Sequence, residues 1–480
     1  MRVGWHLARA GLVILLGSTM LNAGGCSLVV DKDIQGSGIG TQCSTNSDCH
    51  AGVCEQGLCT AKCASNSDCP SSTMCVQKTG SCAAPLHAGF MYVGVTGDNG
   101  WSFTQEAGRV AAQNGLPYLT TEYVENVVTD DQVSKAARDM IDKGANVIVQ
   151  TSQGGTTPMA ALAKDFPAVT FLQLYNRTIN TTNLGSYWVK LQQSWYIAGY
   201  VAAKKSKTNR VSWIGGYVSP QGVQRANGFI RGARRANPNI KVDIRWLGFW
   251  YDPSIVGTQS REELLVDQAI DSGSDVLIAN IDNDKPYARV KTRNQTGSKQ
   301  VWSIETNNPA LCANEYKDSC LGVAWINWAP IYIDQLDKIH RKTWTPGYVH
   351  VGVKQDPTQS TVGFTPSESN LDPSLRLDIA NLTSEFAKDP EAPLRGAYNI
   401  SGGTQRPEGP VKDGEVISED ELLEMCWFPE GAYEKVDPNN PNSDDRAATV
   451  PAGERVFLNR ANLSPENQSL ADPPDCQKNK

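Results

Sequence analysis

Histidine is scarce in this chain, with five in 480 residues. His6 lies ahead of an N-terminal apolar run and His50 lies among cysteines. His87, His340 and His350 are scattered, with no triad or metal-ligand spacing. That removes the His-containing zinc motifs and the commonest general bases. No Cys-x-x-Cys pair occurs, which argues against zinc held by thiolates. The Gly-x-x-x-x-Gly-Lys phosphate loop is missing as well, and Gln153-Gly-Gly-Thr-Thr157 reads as a tight strand-to-helix turn. A net charge of −7 excludes a global basic footprint for nucleic acid. No apolar run is long enough to span a bilayer. No catalytic residue, metal or cofactor is therefore expected, and the chain does not read as an enzyme.

Cysteine, by contrast, is plentiful, with thirteen copies. Arg2 and Arg9 flank the start of a short apolar run, 10–21, followed by Asn22-Ala-Gly-Gly-Cys26. A basic start, a short apolar core and small residues before a cleavage point describe an export signal, here 1–25. The small residues before Cys26 resemble a bacterial lipobox. That implies acylation of Cys26 and attachment to the cell envelope, with inner and outer membrane both open. Residues 26–42 are glycine-rich and read as a tether. Twelve cysteines remain, an even number in an exported chain, so disulfides are expected. Eight of them lie in 43–85: Cys43, Cys49, Cys54, Cys59, Cys63, Cys69, Cys75 and Cys82. Cys43-Ser-Thr-Asn-Ser-Asp-Cys49 is echoed 20 residues later by Cys63-Ala-Ser-Asn-Ser-Asp-Cys69. So few apolar residues accompany this repeat that cross-links must hold it. Cys312 and Cys320 are expected to bridge locally, leaving Cys426 and Cys476 as a pair that ties the tail back.

From Ala88 onward, apolar runs with strand character alternate with helical patterns. That alternation implies parallel βαβ units. There are too many elements for one compact sheet, so two α/β lobes are expected. Residues 436–480, rich in Pro, Asn and Asp, read as an irregular polar tail.

In open α/β sheets, ligands bind at the carboxyl ends of strands. Aromatic and polar residues gather at such points in this chain. Asp98, Asn99 and Trp101 follow the first strand, Thr151, Ser152 and Gln153 the third, and Tyr175 the next. Trp250, Asp252, Asp282, Asn327 and Trp328 follow in the second half. An indole can stack on a flat ring while a carboxylate or amide reads the ring edge or a sugar hydroxyl. Asp98 and Asp252 also suit helix capping, and Trp328 suits packing at a hinge.

Seven strings occur in order between Ala88 and Ala432. They are Tyr92-Val-Gly-Val-Thr-Gly-Asp98-Asn-Gly-Trp101, Tyr123-Val-Glu-Asn-Val127, Asn227-Gly-Phe-Ile-Arg-Gly-Ala233 and Trp250-Tyr-Asp-Pro253. Asn327-Trp-Ala-Pro330, Gly409-Pro-Val-Lys-Asp413 and Glu421-Leu-Leu-Glu-Met-Cys-Trp427-Phe-Pro-Glu-Gly431 complete the set. With these the chain resembles the basic membrane protein family, bacterial solute-binding lipoproteins of ABC importers, several of which bind purine nucleosides or bases. The resemblance implies a two-lobed periplasmic-binding-protein fold of type I over 88–435. It places 88–188 and 302–326 in the first lobe, and 189–301 and 327–435 in the second. It also implies a small purine-like ligand, a permease partner and a membrane-facing location. Asn280-Ile-Asp282-Asn283 departs from the His-Thr-Asp-Ser string of many relatives but retains the Asp. A surface sensor whose cysteine module contacts another protein is the alternative, and a nucleoside hydrolase is a more distant one.

Overall fold

The computed structural model describes residues 38–449, apart from 50–51, 70–72, 154–155, 177–178, 180–181, 253, 402–405 and 438. The export signal, Cys26 and Cys476 lie outside the described residues.

The cysteine repeat forms two matching half-modules. Each has a short hairpin: β1 (Val53–Glu55) with β2 (Leu58–Thr60), and β3 (Met74–Val76) with β4 (Ser81–Ala83). Bridges join Cys43 to Cys54, Cys49 to Cys59, Cys63 to Cys75 and Cys69 to Cys82. The repeated Asn-Ser-Asp string has a local cause. Asp48 accepts the backbone N–H groups of Ser44 and Thr45, and Asp68 those of Ala64 and Ser65. Asn46 and Asn66 accept the N–H of Cys54 and Cys75, each at 2.8 Å. The module is seated on the body. Gln42 donates to the Lys342 carbonyl at 3.1 Å, Arg341 to the Gln56 side chain at 2.8 Å, and the His340 ring Nε2 lies 3.0 Å from the Ala84 carbonyl oxygen.

The first lobe alternates β5 (Leu86–Met91), α1 (Trp101–Gly115), β6 (Leu119–Val124), α2 (Asp130–Asp142), β7 (Val147–Gln150), α3 (Thr156–Asp165), β8 (Thr170–Leu174) and β9 (Leu184–Val189). Its strands are parallel; the inner strand β7 is buried along its length, as a sheet covered on both faces requires, while the edge strand β6 carries Thr120, Thr121 and Glu122. The chain then crosses through α4 (Leu191–Lys205) into the second lobe. There it builds β10 (Arg210–Gly215), α5 (Pro220–Ala236), β11 (Lys241–Trp246), the hairpin β12 (Ile255–Val256) with β13 (Gln259–Ser260), α6 (Arg261–Asp271), β14 (Val276–Asn280), α7 (Lys285–Thr296), β15 (Trp302–Thr306), α8 (Pro309–Ala313) and β16 (Cys320–Ile326). It returns to the first lobe with α9 (Ala329–His340) and β17 (Tyr348–Val351), which pairs with β9. After Val351 it crosses back to form β18 (Val362–Pro366), α10 (Pro373–Lys388), the short α11 (Glu419–Leu423), β19 (Ala432–Lys435) and β20 (Asp445–Ala447). The first sheet is ordered β17-β9-β8-β7-β5-β6 and the second β18-β16-β15-β14-β10-β11-β19-β20. This is the two-lobed α/β arrangement the sequence pattern implies.

Two boundaries differ from expectation. Residues 302–326, expected in the first lobe, supply β15 and β16 of the second sheet, where Trp302 pairs with Val276. Residues 329–351, expected in the second lobe, return to the first. Apolar strands suit either sheet equally, and only the pairing partner decides. The tail is also less irregular than its composition suggests. β20 pairs with β19, and Asp445 anchors it through Arg210 at 2.7 Å and Lys435 at 3.1 Å.

Close packing of α4 on α5 explains two glycines of the Asn227–Ala233 string and its partner helix. A methyl group added at Gly232 would lie 1.8 Å from the Tyr196 carbonyl oxygen, and one at Gly199 would lie 1.9 Å from that of Phe229. Only hydrogen fits there. The backbone contact fixes α5, and hence its first two turns, against the crossing point between lobes.

The Cys312–Cys320 bridge forms as expected. Cys426 is disulfide-bonded, while its expected partner Cys476 lies outside the described residues.

Candidate functional site

The strand ends of the two sheets face each other, and the residues there touch across the junction. Gly100, just before α1, approaches Asp282, just after β14. A methyl group at Gly100 would lie 2.7 Å from the Asp282 Cα. Asn308 donates to Asn99 at 2.9 Å, and Gln221 donates to Gln153 at 3.1 Å. Tyr175 Oη donates to the Leu422 carbonyl at 3.4 Å and accepts from Gln224 at 3.0 Å.

Aromatic rings line this junction. Trp101 opens α1, and its Nε1 donates to the Thr151 carbonyl at 2.7 Å. That bond fixes the indole against the end of β7. Trp328 packs edge-on to it at 5.3 Å and Trp188 lies at 6.1 Å. Tyr175 sits 4.4 Å from Trp188. From the second lobe, Trp250 packs near Tyr217, and its carbonyl accepts the Asp282 N–H at 2.8 Å. The guanidinium of Arg225, on α5, lies 5.7 Å from the Trp101 ring and 5.9 Å from the Trp250 ring.

Two opposite charges meet this aromatic set. Burial pushes the Asp282 carboxyl up to about 7, the nearby Asp98 charge adds to the rise, and Arg225 partly offsets both. Burial also draws Arg225 down to about 10, with Asp282 opposing. Arg225 thus keeps its charge at neutral pH, while Asp282 is poised to gain or lose a proton.

The expected site residues divide into two groups. Asn99, Trp101, Gln153, Tyr175, Trp250 and Asp282 meet at the junction. Ser152 lies beside them, partly buried. The others serve the scaffold. Asp98 accepts the backbone N–H groups of Gly100, Ser102 and Phe103, which is the capping role. Thr151 is buried and donates to the Met91 carbonyl at 2.6 Å. Asp252 pairs with Arg261 at 2.8 Å and holds Ser254, inside the second lobe. Asn327 caps the start of α9 by accepting from Ala329. Trp328 is fully buried and donates to Thr104 at 3.0 Å, forming the floor beneath Trp101.

Arg225, Gln221, Gln224 and Trp188 were not singled out from the sequence. A signal was present for three of them. Positions 221, 224 and 225 follow Ser219-Pro220, a strong helix start, and share one face of α5. Polar residues on the first turns of a helix that follows a strand point toward the strand ends. Trp188 left no such mark, because it lies inside the strand β9 and not at its end.

Residues 86–376 match the family model described as ABC transporter substrate-binding protein, PnrA-like. A purine-binding protein of Brucella abortus is 26% identical over 356 residues, covering 73% of this chain and 94% of that protein. A Haloferax volcanii protein, provisionally named an ABC transporter glucose-binding protein, is 27% identical over 259 residues, covering 54% of this chain and 62% of that one. Among solved structures, an ABC transporter solute-binding protein from Conexibacter woesei superposes with a TM-score of 0.52 at 18% identity, over 64% of this chain and 97% of that one. At that identity the likeness speaks for the fold. The described residues contain no helix long and apolar enough to cross a membrane. With the family match spanning well over half its length, the chain belongs to the PnrA-like family of ABC-transporter substrate-binding proteins, which are extracytoplasmic binding proteins and not enzymes.

Proposed function

We propose that this protein captures a small purine-like nucleoside or base between its lobes and presents it to the permease of an importer, while Cys26 anchors it to the envelope through lipid. The observation that carries this reading is the junction itself. Trp101 from one lobe and Trp250 from the other flank Arg225, with Asp282 facing Gly100 across the junction. Flat aromatic surface together with a few directed polar groups is the recognition chemistry of a nucleobase site. Contacts made to both lobes at once favour the closed arrangement and so drive closure by population shift. The purine-binding relative, aligned along nearly its whole length, supports the same class of ligand.

A sugar is the second reading, because a Trp–Asp pair also suits a sugar ring and the Haloferax relative is named for glucose. Thermal unfolding against purine bases, purine nucleosides and simple sugars separates the two. A ligand at about a hundred times its dissociation constant adds roughly 2.7 kcal/mol, which raises the melting temperature by several degrees. A rise confined to purines supports the proposal. A rise confined to sugars replaces it.

A further inference from the structure

Arg225 is 3% exposed, yet its guanidinium donates a hydrogen bond to none of the described residues, and its Nε is buried without a partner among them. No salt bridge joins it to a described carboxylate either; Asp282 acts on it only through the longer-range field. Other buried guanidinium groups among the described residues have a carboxylate partner, even Arg210, whose Nε is likewise buried and unpartnered but which binds Asp445 at 2.7 Å. Arg406 binds Glu421 at 2.6 Å and Arg245 binds Asp243 at 2.8 Å. Leaving a buried charged donor unpaired is costly. The position of Arg225 over two indoles, one from each lobe, offsets only part of that cost.

A guanidinium carries five N–H donors in a planar fork and no acceptor. Its best partner is a pair of adjacent acceptors in one plane. A base stacked on Trp101 or Trp250 would bring such a pair within reach of the fork, whose carbon lies 5.7 Å and 5.9 Å from the two ring centres. Among purines the choice is sharp. A 6-oxopurine offers O6 and N7 side by side, both acceptors, and pairs with arginine through two bonds. A 6-aminopurine offers N7 beside an N6 donor, and that donor meets only other donors at Arg225. Asp282 completes the pattern, since a carboxylate accepts the N1–H that oxopurines carry and adenine lacks.

We infer that Arg225 is the specificity-determining residue of the site and that the ligand is a 6-oxopurine nucleoside or base. The inference rests on the purine reading above and narrows it. It also assigns a reason for a buried cation that the fold alone does not need.

Isothermal titration of the full chain with inosine, guanosine and adenosine tests it. The wild type is expected to bind the two 6-oxopurines at least tenfold more tightly than adenosine. Arg225→Gln supplies one donor and one acceptor, the pair that suits adenine, and is expected to reverse the order. Arg225→Lys keeps the charge but loses the fork, and is expected to weaken inosine about tenfold or more. Melting of each variant without ligand reports folding separately. Equal or tighter adenosine binding by the wild type overturns the inference and leaves the purine reading standing. So does an Arg225→Gln variant that stays folded and loses all three ligands equally. Binding of no purine by the wild type overturns both.

Discussion

Gly100 of the first lobe and Asp282 of the second come so close that a side chain on the glycine has no room, with 2.7 Å left between an added methyl and the Asp282 Cα. The contact joins the loop before α1 to the end of β14, so it exists only when the lobes meet. Gly100→Ala is therefore expected to hold the lobes apart while leaving each lobe folded. Ligand affinity should fall tenfold or more, about 1.4 kcal/mol. The ligand-free melting temperature should change little, and small-angle scattering with ligand should show a larger radius than the wild type. Unchanged affinity would mean that closure does not run through this contact.

Asp282 gives binding a pH dependence of predictable sign. Its carboxyl is raised to about 7 in the folded protein, by burial first and the Asp98 charge second. A raised carboxyl stabilises the protonated form, so this group's contribution to the stability of the free protein is lost as pH rises through 7. A ligand that donates a hydrogen bond to the ionised carboxylate binds better over the same interval. Affinity is expected to rise between pH 6 and pH 8, and Asp282→Asn should flatten that rise. Titration calorimetry at three pH values in matched buffers checks both.

Glu305 lies near the end of β15 with both carboxyl oxygens buried and without a partner among the described residues, and burial together with Asp284 pushes it up to about 9. Folding therefore favours its neutral form, and the ionised form is resisted. Its contribution is fully present below the unfolded value and is lost as pH rises through the folded one. Glu305→Gln, which is neutral at every pH, should gain on the wild type steadily from pH 5 to pH 9. The difference between the two melting temperatures measures this directly. A constant difference across that range would show that Glu305 is not held neutral.

The cysteine module is held by its four bridges. Its bridges close short loops, 10 to 13 residues apart in sequence, each contributing about 2–3 kcal/mol on the loop-entropy account. Removing Cys49 and Cys59 together, as the double alanine variant, should open residues 43–60 to protease. Ligand binding by the body should survive, because no module residue reaches the lobe junction among the described contacts. Loss of binding would instead make the module part of the receptor mechanism.

The outline of this protein was legible along the chain. Alternating apolar runs predicted α/β lobes, the repeated Cys-x5-Cys spacing predicted a bridged module, and Trp101, Tyr175, Trp250 and Asp282 were visible as polar or aromatic residues at strand ends. Such features are local: a period, a spacing, a residue type at an element boundary. Sheet membership was not local. β15 and β16 read as apolar strands wherever they sit, and only pairing with β14 and β18 assigns them to the second lobe. The roles of Asp98 and Asp252 were not local either. A carboxylate before a helix suits a cap or a ligand equally, and three backbone N–H groups at Asp98 and Arg261 at Asp252 claim them for the scaffold. Arg225 depended most on tertiary structure. Its meaning lies in a buried guanidinium with no partner among the described residues, and the chain must be folded before a side chain can be buried or unpaired.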